Sequence, residues 1–287
     1  MLAIVVGLAS ALTYGVADFF GGLAAKRTPA VVVTAFAALV GLAVMLPFAF
    51  LVPARLSVDA FLWGGLSGIT GSAAIFLLYA ALAIGPMSIL SPLTAVLSAI
   101  VPMTWGLLGG ERLPWWGYVA IGGVLIAIVL VGFVPEKGAV RPRARGLVYA
   151  TLSGFLIGCF FILVDRAPAD SGLYPLVANR AGSGTVLIIV IAVLTLIARR
   201  KGTVAFPGLR GAVGLIIACG AADAAANVLI LTALRLGDLT VISVLAALYP
   251  AGTIALASLV LRERIAPVQW VGLGLALVSA AALAIPA

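Results

Sequence analysis

The sequence predicts an all-α integral membrane protein, its ten transmembrane helices arranged as two inverted five-helix repeats. Three observations carry that expectation. Only 9% of the 287 residues are charged and 64% are hydrophobic, whereas a soluble domain carries about a quarter charged residues. With a mean hydropathy of +1.30, the chain lacks the polar groups to cover a water-facing surface. Its apolar residues fall into ten runs, most of them near the ~20 residues that an α-helix needs to cross a bilayer. Finally, the second half of the chain repeats features of the first at a constant offset.

The runs cover 2–22, 30–51, 60–82, 86–109, 115–134, 146–164, 173–198, 209–233, 239–260 and 267–285. They are apolar on every face, which suits helices; barrel strands would alternate apolar and polar residues over about ten positions. Charged and turn-forming residues separate them, such as Lys26-Arg27-Thr28-Pro29, Glu111 to Pro114 and Arg235 to Asp238. The weakest break is Gly85-Pro86, which carries no charge. Without it the third and fourth runs would join into roughly 50 residues, too long for one crossing. The first run begins at Leu2 with no basic residue before it and reaches Lys26-Arg27 without an Ala-x-Ala-like site, so it reads as a span and not as a cleaved signal.

The hydrophilic linker 136–145 divides the chain into a first repeat, 1–135, and a second, 146–287. Residues 79–125 align without gaps on 231–277, placing Gly85 on Gly237, Ser91 on Ser243, Leu93 on Leu245, and Glu111-Arg112 on Glu263-Arg264. The starts correspond as well, Gly7-Leu8 with Gly146-Leu147 and Gly15 with Gly154. A unit of five helices ends on the side opposite to its start, so the second unit inserts upside down. That plan is common among secondary transporters, which bind substrate near the midplane between the halves. The loops after the first, third, fifth, seventh and ninth runs hold twelve Lys and Arg residues against four in the opposite loops, with Arg180 set aside because it lies within a run. The positive-inside rule then places both termini outside the cytoplasm.

The net charge of +8 follows from those basic loops, and no nucleic-acid partner is expected. Histidine is absent, which removes the commonest zinc ligand and the usual nucleophile-activating base. Cys159 and Cys219 sit inside apolar runs and read as packing residues, not as a disulfide or metal site. No glycine-rich phosphate loop with a lysine is present, so no ATPase motor is expected. Neither cofactor nor metal is expected. The rival readings are a lipid-flipping protein, a channel, and, more remotely, an intramembrane enzyme, which would need convergent catalytic groups.

Ionisable residues at depth are the sharper signal, because a charge in hydrocarbon costs at least ~2.5–3.5 kcal/mol. Asp18 lies late in the first run, Arg180 beside Asn179 about two turns into the seventh, and Asp223 midway along the eighth with Asn227 at i+4 on the same face. Asp223 and Asn227 read either as a substrate contact or as a polar pair locking helices. Asp18 and Arg180 face the cavity or snorkel to the interface. A substrate with an amine and a carboxylate would suit the set, Asp223 meeting the cation and Arg180 the anion; proton coupling would instead use Asp223 or Asp18. Tyr14, Tyr79, Trp105 and Tyr249 also lie inside runs, as packing residues or cavity lining. Trp63, Trp115, Trp116 and Trp270 read as an interfacial belt. The pairs Gly64/Gly68 and Gly154/Gly158 suit close helix contacts, and Pro47, Pro92, Pro102 and Pro250 are expected to kink their helices, the pair Pro92 and Pro250 as hinges or as static bends.

Three segments resemble the EamA family of the drug/metabolite transporter superfamily. They are Tyr14-Gly15-Val16-Ala17-Asp18-Phe19-Phe20, the stretch Gly85…Ser91-Pro92…Gly110-Glu111-Arg112-Leu113, and its echo Gly237…Tyr249-Pro250…Arg262-Glu263-Arg264-Ile265. The second half departs from the family's Gly-Glu-Arg by placing Arg262 before Glu263. The resemblance implies a basket in which helices one to four and six to nine surround a central cavity, with the fifth and tenth outside. It implies export of amino acids, related metabolites or toxic compounds without ATP, from the cytoplasmic membrane. The expected partners are a small-molecule substrate and the lipid bilayer. Ion coupling and the choice between monomer and homodimer stay open.

Overall fold

The computed structural model describes residues 1–84, 87–132, 143–200, 211–262 and 265–285. Gly85-Pro86, the linker up to 142, Lys201, Arg210 and Glu263-Arg264 lie outside the described residues, as do the side chains of Tyr79 and Ser91. Among the described residues the chain is helical throughout: α1 Leu2–Ala25, α2 Ala30–Leu51, α3 Val58–Ile84, α4 Met87–Leu108, α5 Trp115–Gly132, α6 Ala144–Asp165, α7 Tyr174–Arg200, α8 Val213–Leu236, α9 Leu239–Ala246, α10 Tyr249–Leu261 and α11 Pro267–Leu283. Eight segments are long and apolar enough to cross a bilayer, α9 and α10 counting together as one, and Pro92–Leu108 and Pro267–Leu283 are shorter apolar helices. This is a multi-pass membrane protein, because lipid leaves such segments no water-facing alternative that satisfies their backbone.

The ninth run differs from its expectation. It is not one kinked helix: it breaks at Ala247-Leu248, and Pro250 stands in the first turn of a new helix. Proline has no N–H to return to the Ala246 carbonyl, and at the start of a helix that donor is not needed. In α4, by contrast, Pro92 and Pro102 sit inside a continuous helix.

Close backbone contacts join the helices. A Cβ on Gly64 or Gly68 would strike the carbonyl oxygens of Pro175 and Asn179, so these glycines seat α3 directly on α7. A Cβ on Gly15 would lie 2.5 Å from the amide nitrogen of Thr253, and Thr253 Oγ1 donates to the Gly15 carbonyl at 3.2 Å. Ser10 bonds α1 to the Ala226 carbonyl of α8 at 3.1 Å. Ser153 bonds α6 to Ala74 of α3 at 2.7 Å. α5 and α11 pack on one another, with Gln269 donating to the Val131 carbonyl at 3.2 Å.

One end of the bundle gathers the loops that follow α2, α4, α6 and α8. Arg55 N–H donates to Asp170 O at 2.9 Å, Arg235 donates to Gly172 O at 2.9 Å, and Glu111 accepts the amides of Leu239 and Thr240 at 3.0 and 2.9 Å. The start of α1 lies at the same end, Ala3 beside Gly237. The end of α1 lies at the other, where Arg27 donates to the Gly211 carbonyl before α8.

The Gly-Glu-Arg turn gains a physical reading here. Gly110 has φ +102°, a left-handed conformation that favours glycine. Arg262, its counterpart in the second half, also has a positive φ, of +57°. The departure from the family's pattern therefore places an arginine where the backbone favours a glycine, at a cost of about 1–2 kcal/mol. Glu111 caps the N-terminus of α9 across the two halves of the chain, satisfying two amides that no helical carbonyl can reach.

Candidate functional site

A cavity of about 210 Å³ opens among α1, α2, α3, α6, α7 and α8, with the α9–α10 break on its wall. Tyr14 and Asp18 reach it from α1, Asn179 and Arg180 from α7, Asp223 and Asn227 from α8, and Tyr249 from the first residue of α10. Seven residues singled out in the sequence thus line one space, and the eighth, Tyr79, has its side chain outside the described residues. The i, i+4 spacings of Tyr14 with Asp18 and of Asp223 with Asn227 put each pair on one helix face. Ala246 and Tyr249, on either side of the α9–α10 break, both reach the wall.

The structure adds a contact that the sequence does not show. Arg180 and Asp223 do not wait separately for two ends of a substrate; they form an ion pair with each other. Arg180 is only 8% exposed, and an isolated guanidinium there would be costly, so the nearest carboxylate takes it. Gly41 of α2 makes room for its stem, since a Cβ there would stand 3.3 Å from Arg180 Cδ. Asn227 Nδ2 donates to Asp223 Oδ1 at 3.2 Å and to the Asp223 carbonyl at 2.8 Å, which fixes the carboxylate from its own helix. Asn179 Nδ2 donates to Ser67 Oγ at 2.7 Å, and Ser67 donates onward to Gly64 O at 2.7 Å.

Asp18 is the contrast. It is exposed to the cavity, and among the described residues it has neither an ion-pair nor a hydrogen-bond partner. Three more polar atoms are buried without a partner on the same residues: Tyr14 Oη, Arg180 Nε and Asn227 Oδ1. Buried polar atoms in native proteins are nearly always satisfied. The polar group that the cavity does expose is the Asp18 carboxyl, which suits a polar occupant.

Several lining residues were not legible in the sequence: Ser72, Ile75, Phe160, Phe161 and Cys219. Cys219 thus faces the cavity instead of serving packing alone, and both cysteines are free thiols. Trp105 stands away from the cavity, 47% exposed, with the Arg166 guanidinium 5.5 Å from its ring centre. α4 contributes no lining residue among those described; it packs on α6 and α9, where Thr94 Oγ1 donates to Ala150 O at 3.1 Å.

A bundle of apolar helices around a partly charged cavity suits a membrane transport protein. The sequence model of the EamA-like transporter family matches residues 1–133 and again residues 144–285. The chain belongs to that family, whose members are membrane transporters of the drug/metabolite superfamily. No curated protein matches it. Among solved structures 29 chains match. One, described only as the crystal structure of a protein, shares 17% identity at a TM-score of 0.77 and covers 99% of both chains, a likeness of fold alone.

Proposed function

We propose that this protein is a secondary transporter that moves small organic solutes across the cytoplasmic membrane by alternating access, in the direction of export. The observation that carries the reading is the cavity itself: an accessible carboxylate, Asp18, and a buried ion pair line one space within a bundle of apolar helices. Its volume of about 210 Å³ falls below the ~300–1,000 Å³ usual for drug-sized ligands, which favours metabolite-sized solutes.

The proposal includes ten crossings as two inverted repeats, 1–135 and 146–287, joined by the linker 136–145. The contacts between loops support this. The start of α1 and the end of α6 lie at the same end of the bundle, as an inverted repeat requires. It also includes both termini outside the cytoplasm, which the surplus of basic residues in the opposite loops supports. Asp18, Tyr14, Asn179, Arg180, Asp223, Asn227 and Tyr249 form the substrate region, with Tyr79 added from its place in the third run. Arg180 and Asp223 act as a pair that shapes the site, and Asp18 acts as its free charge.

Purified protein in liposomes, loaded with a panel of cationic, zwitterionic, neutral and anionic metabolites and assayed with and without a pH gradient, tests this. Saturable flux of at least one solute is expected. No flux of any solute, together with hydrolysis of a lipid or peptide, would hand the protein to the enzyme reading.

A further inference from the structure

Resting on the transporter reading, we infer that the substrate is an amphipathic organic cation. Its ammonium meets Asp18, and its apolar body lies in a groove between α2 and α3 that opens sideways from the cavity.

Charge is the first support. Two carboxylates and one guanidinium face the cavity, and the guanidinium is already engaged by Asp223. Arg180 has no strong anion site left to offer, because a substrate carboxylate would have to displace Asp223 and leave it unpaired. The uncompensated charge is the negative one on Asp18, accessible and partnerless among the described residues. An unpartnered carboxylate in such a cavity is best satisfied by a cation that also donates hydrogen bonds. Tyr14 and Tyr249 line the same cavity, and aromatic rings are suited to hold an ammonium.

Shape is the second. A further space of about 180 Å³ adjoins the cavity, with Thr34, Ser72 and Ile75 lining both. Its remaining wall is Ala30 and Val31 of α2, Phe76 and Ala80 of α3, and Leu187 of α7. α2 packs mainly on α7 and α8, and α3 on α6 and α7, so that α2 and α3 are held apart over a floor from α7. This wall carries no charge. Phe76 is 58% exposed. A zwitterion or polyol would gain nothing from such a surface, whereas an aryl or alkyl group removes it from contact with lipid and water alike. One end of the combined space thus asks for a positive charge and the other for an apolar body.

The test uses Cys219 as a reporter, in the Cys159→Ser protein in phosphatidylcholine nanodiscs. Four probes are compared: 2-phenylethylammonium, ethylammonium, 2-phenylethanol and 3-phenylpropionate. The first should slow alkylation of Cys219 by N-ethylmaleimide in a saturable way, at a concentration lower by about tenfold or more than any of the others. Asp18→Asn should abolish its advantage over 2-phenylethanol. Ala80→Trp, which fills the groove, should weaken 2-phenylethylammonium while leaving ethylammonium unchanged. Equilibrium binding of radiolabelled 2-phenylethylammonium to the same discs should follow the same order, and it decides the matter if the alkylation rate is insensitive to every probe. Tighter binding of 3-phenylpropionate, or no binding of the cation in either assay, overturns the inference. If liposomes holding the protein still carry a neutral or anionic solute, the transporter reading survives that result. If the cation binds and nothing is transported, the site stands and the transporter reading falls.

Discussion

The two walls of the cavity handle charge in opposite ways. On the α7–α8 wall both charged side chains are partnered: Arg180 holds Asp223 and Asn227 holds Asp223 from its own helix, while Asn179 is tied to Ser67 of α3. On the α1 wall Asp18 has no partner among the described residues and the Tyr14 hydroxyl is unsatisfied. In the proposed reading the partnered charges build the site and the unpartnered one serves it. A partnered charge stabilises only as long as its partner stays, so its removal is felt as instability. An unpartnered one has no ion pair to lose, so its removal should be felt less in stability.

Breaking the partnered wall should give the largest effect on stability. Asp223→Asn leaves the Arg180 guanidinium buried without its counter-charge, and the cost should be about 3–5 kcal/mol in unfolding experiments in micelles. Arg180→Met combined with Asp223→Leu should cost far less than the sum of the two single changes, because no lone charge remains. Additive effects would mean that the pair does not couple the two helices.

A carboxylate outside the cavity provides a scale for the comparison. Glu111→Ala removes the acceptor of two amides at the start of α9 and should cost about 1–2 kcal/mol. Glu111→Gln should recover part of that, since one side-chain oxygen still accepts. Ser67→Ala deprives Asn179 of its acceptor and should cost about 1 kcal/mol. Smallest, and of opposite sign, is Arg262→Gly. It relieves the positive φ at the end of α10 and should stabilise by about 0.5–1 kcal/mol. A neutral or destabilising result would show that the arginine side chain has a compensating contact.

Much of the fold was legible because lipid leaves few choices. Apolar runs of bilayer length must be helices, and each of the ten runs coincides with helix to within a few residues, the ninth as two pieces. The break before Tyr249 was not legible. Pro250 signals a disturbed helix, but α4 shows that a proline can equally be absorbed, and only packing decides between the two. The residues of the site were legible for a different reason. A charge in an apolar run is costly enough to announce itself, and that singled out Asp18, Arg180 and Asp223. Their relation was not legible, because runs that are apolar on every face give no rotation from which to tell that Arg180 meets Asp223. The same lack hid Ser67, Ser72, Phe160 and Cys219. Glu111 was visible as a repeated Glu-Arg match, yet a cap across the two halves needs the neighbouring helix start, which no local pattern supplies.

The most direct measurement is the transport rate of Asp18→Asn in liposomes beside its unfolding free energy in micelles. Asp18 holds no partner, so the variant should unfold within about 0.5 kcal/mol of the parent, while its flux of the solute that the parent carries should fall to that of empty liposomes. An Asp18→Asn protein that transports at the parent rate, or one that loses transport only because it no longer folds, would contradict the division between structural and serving charges.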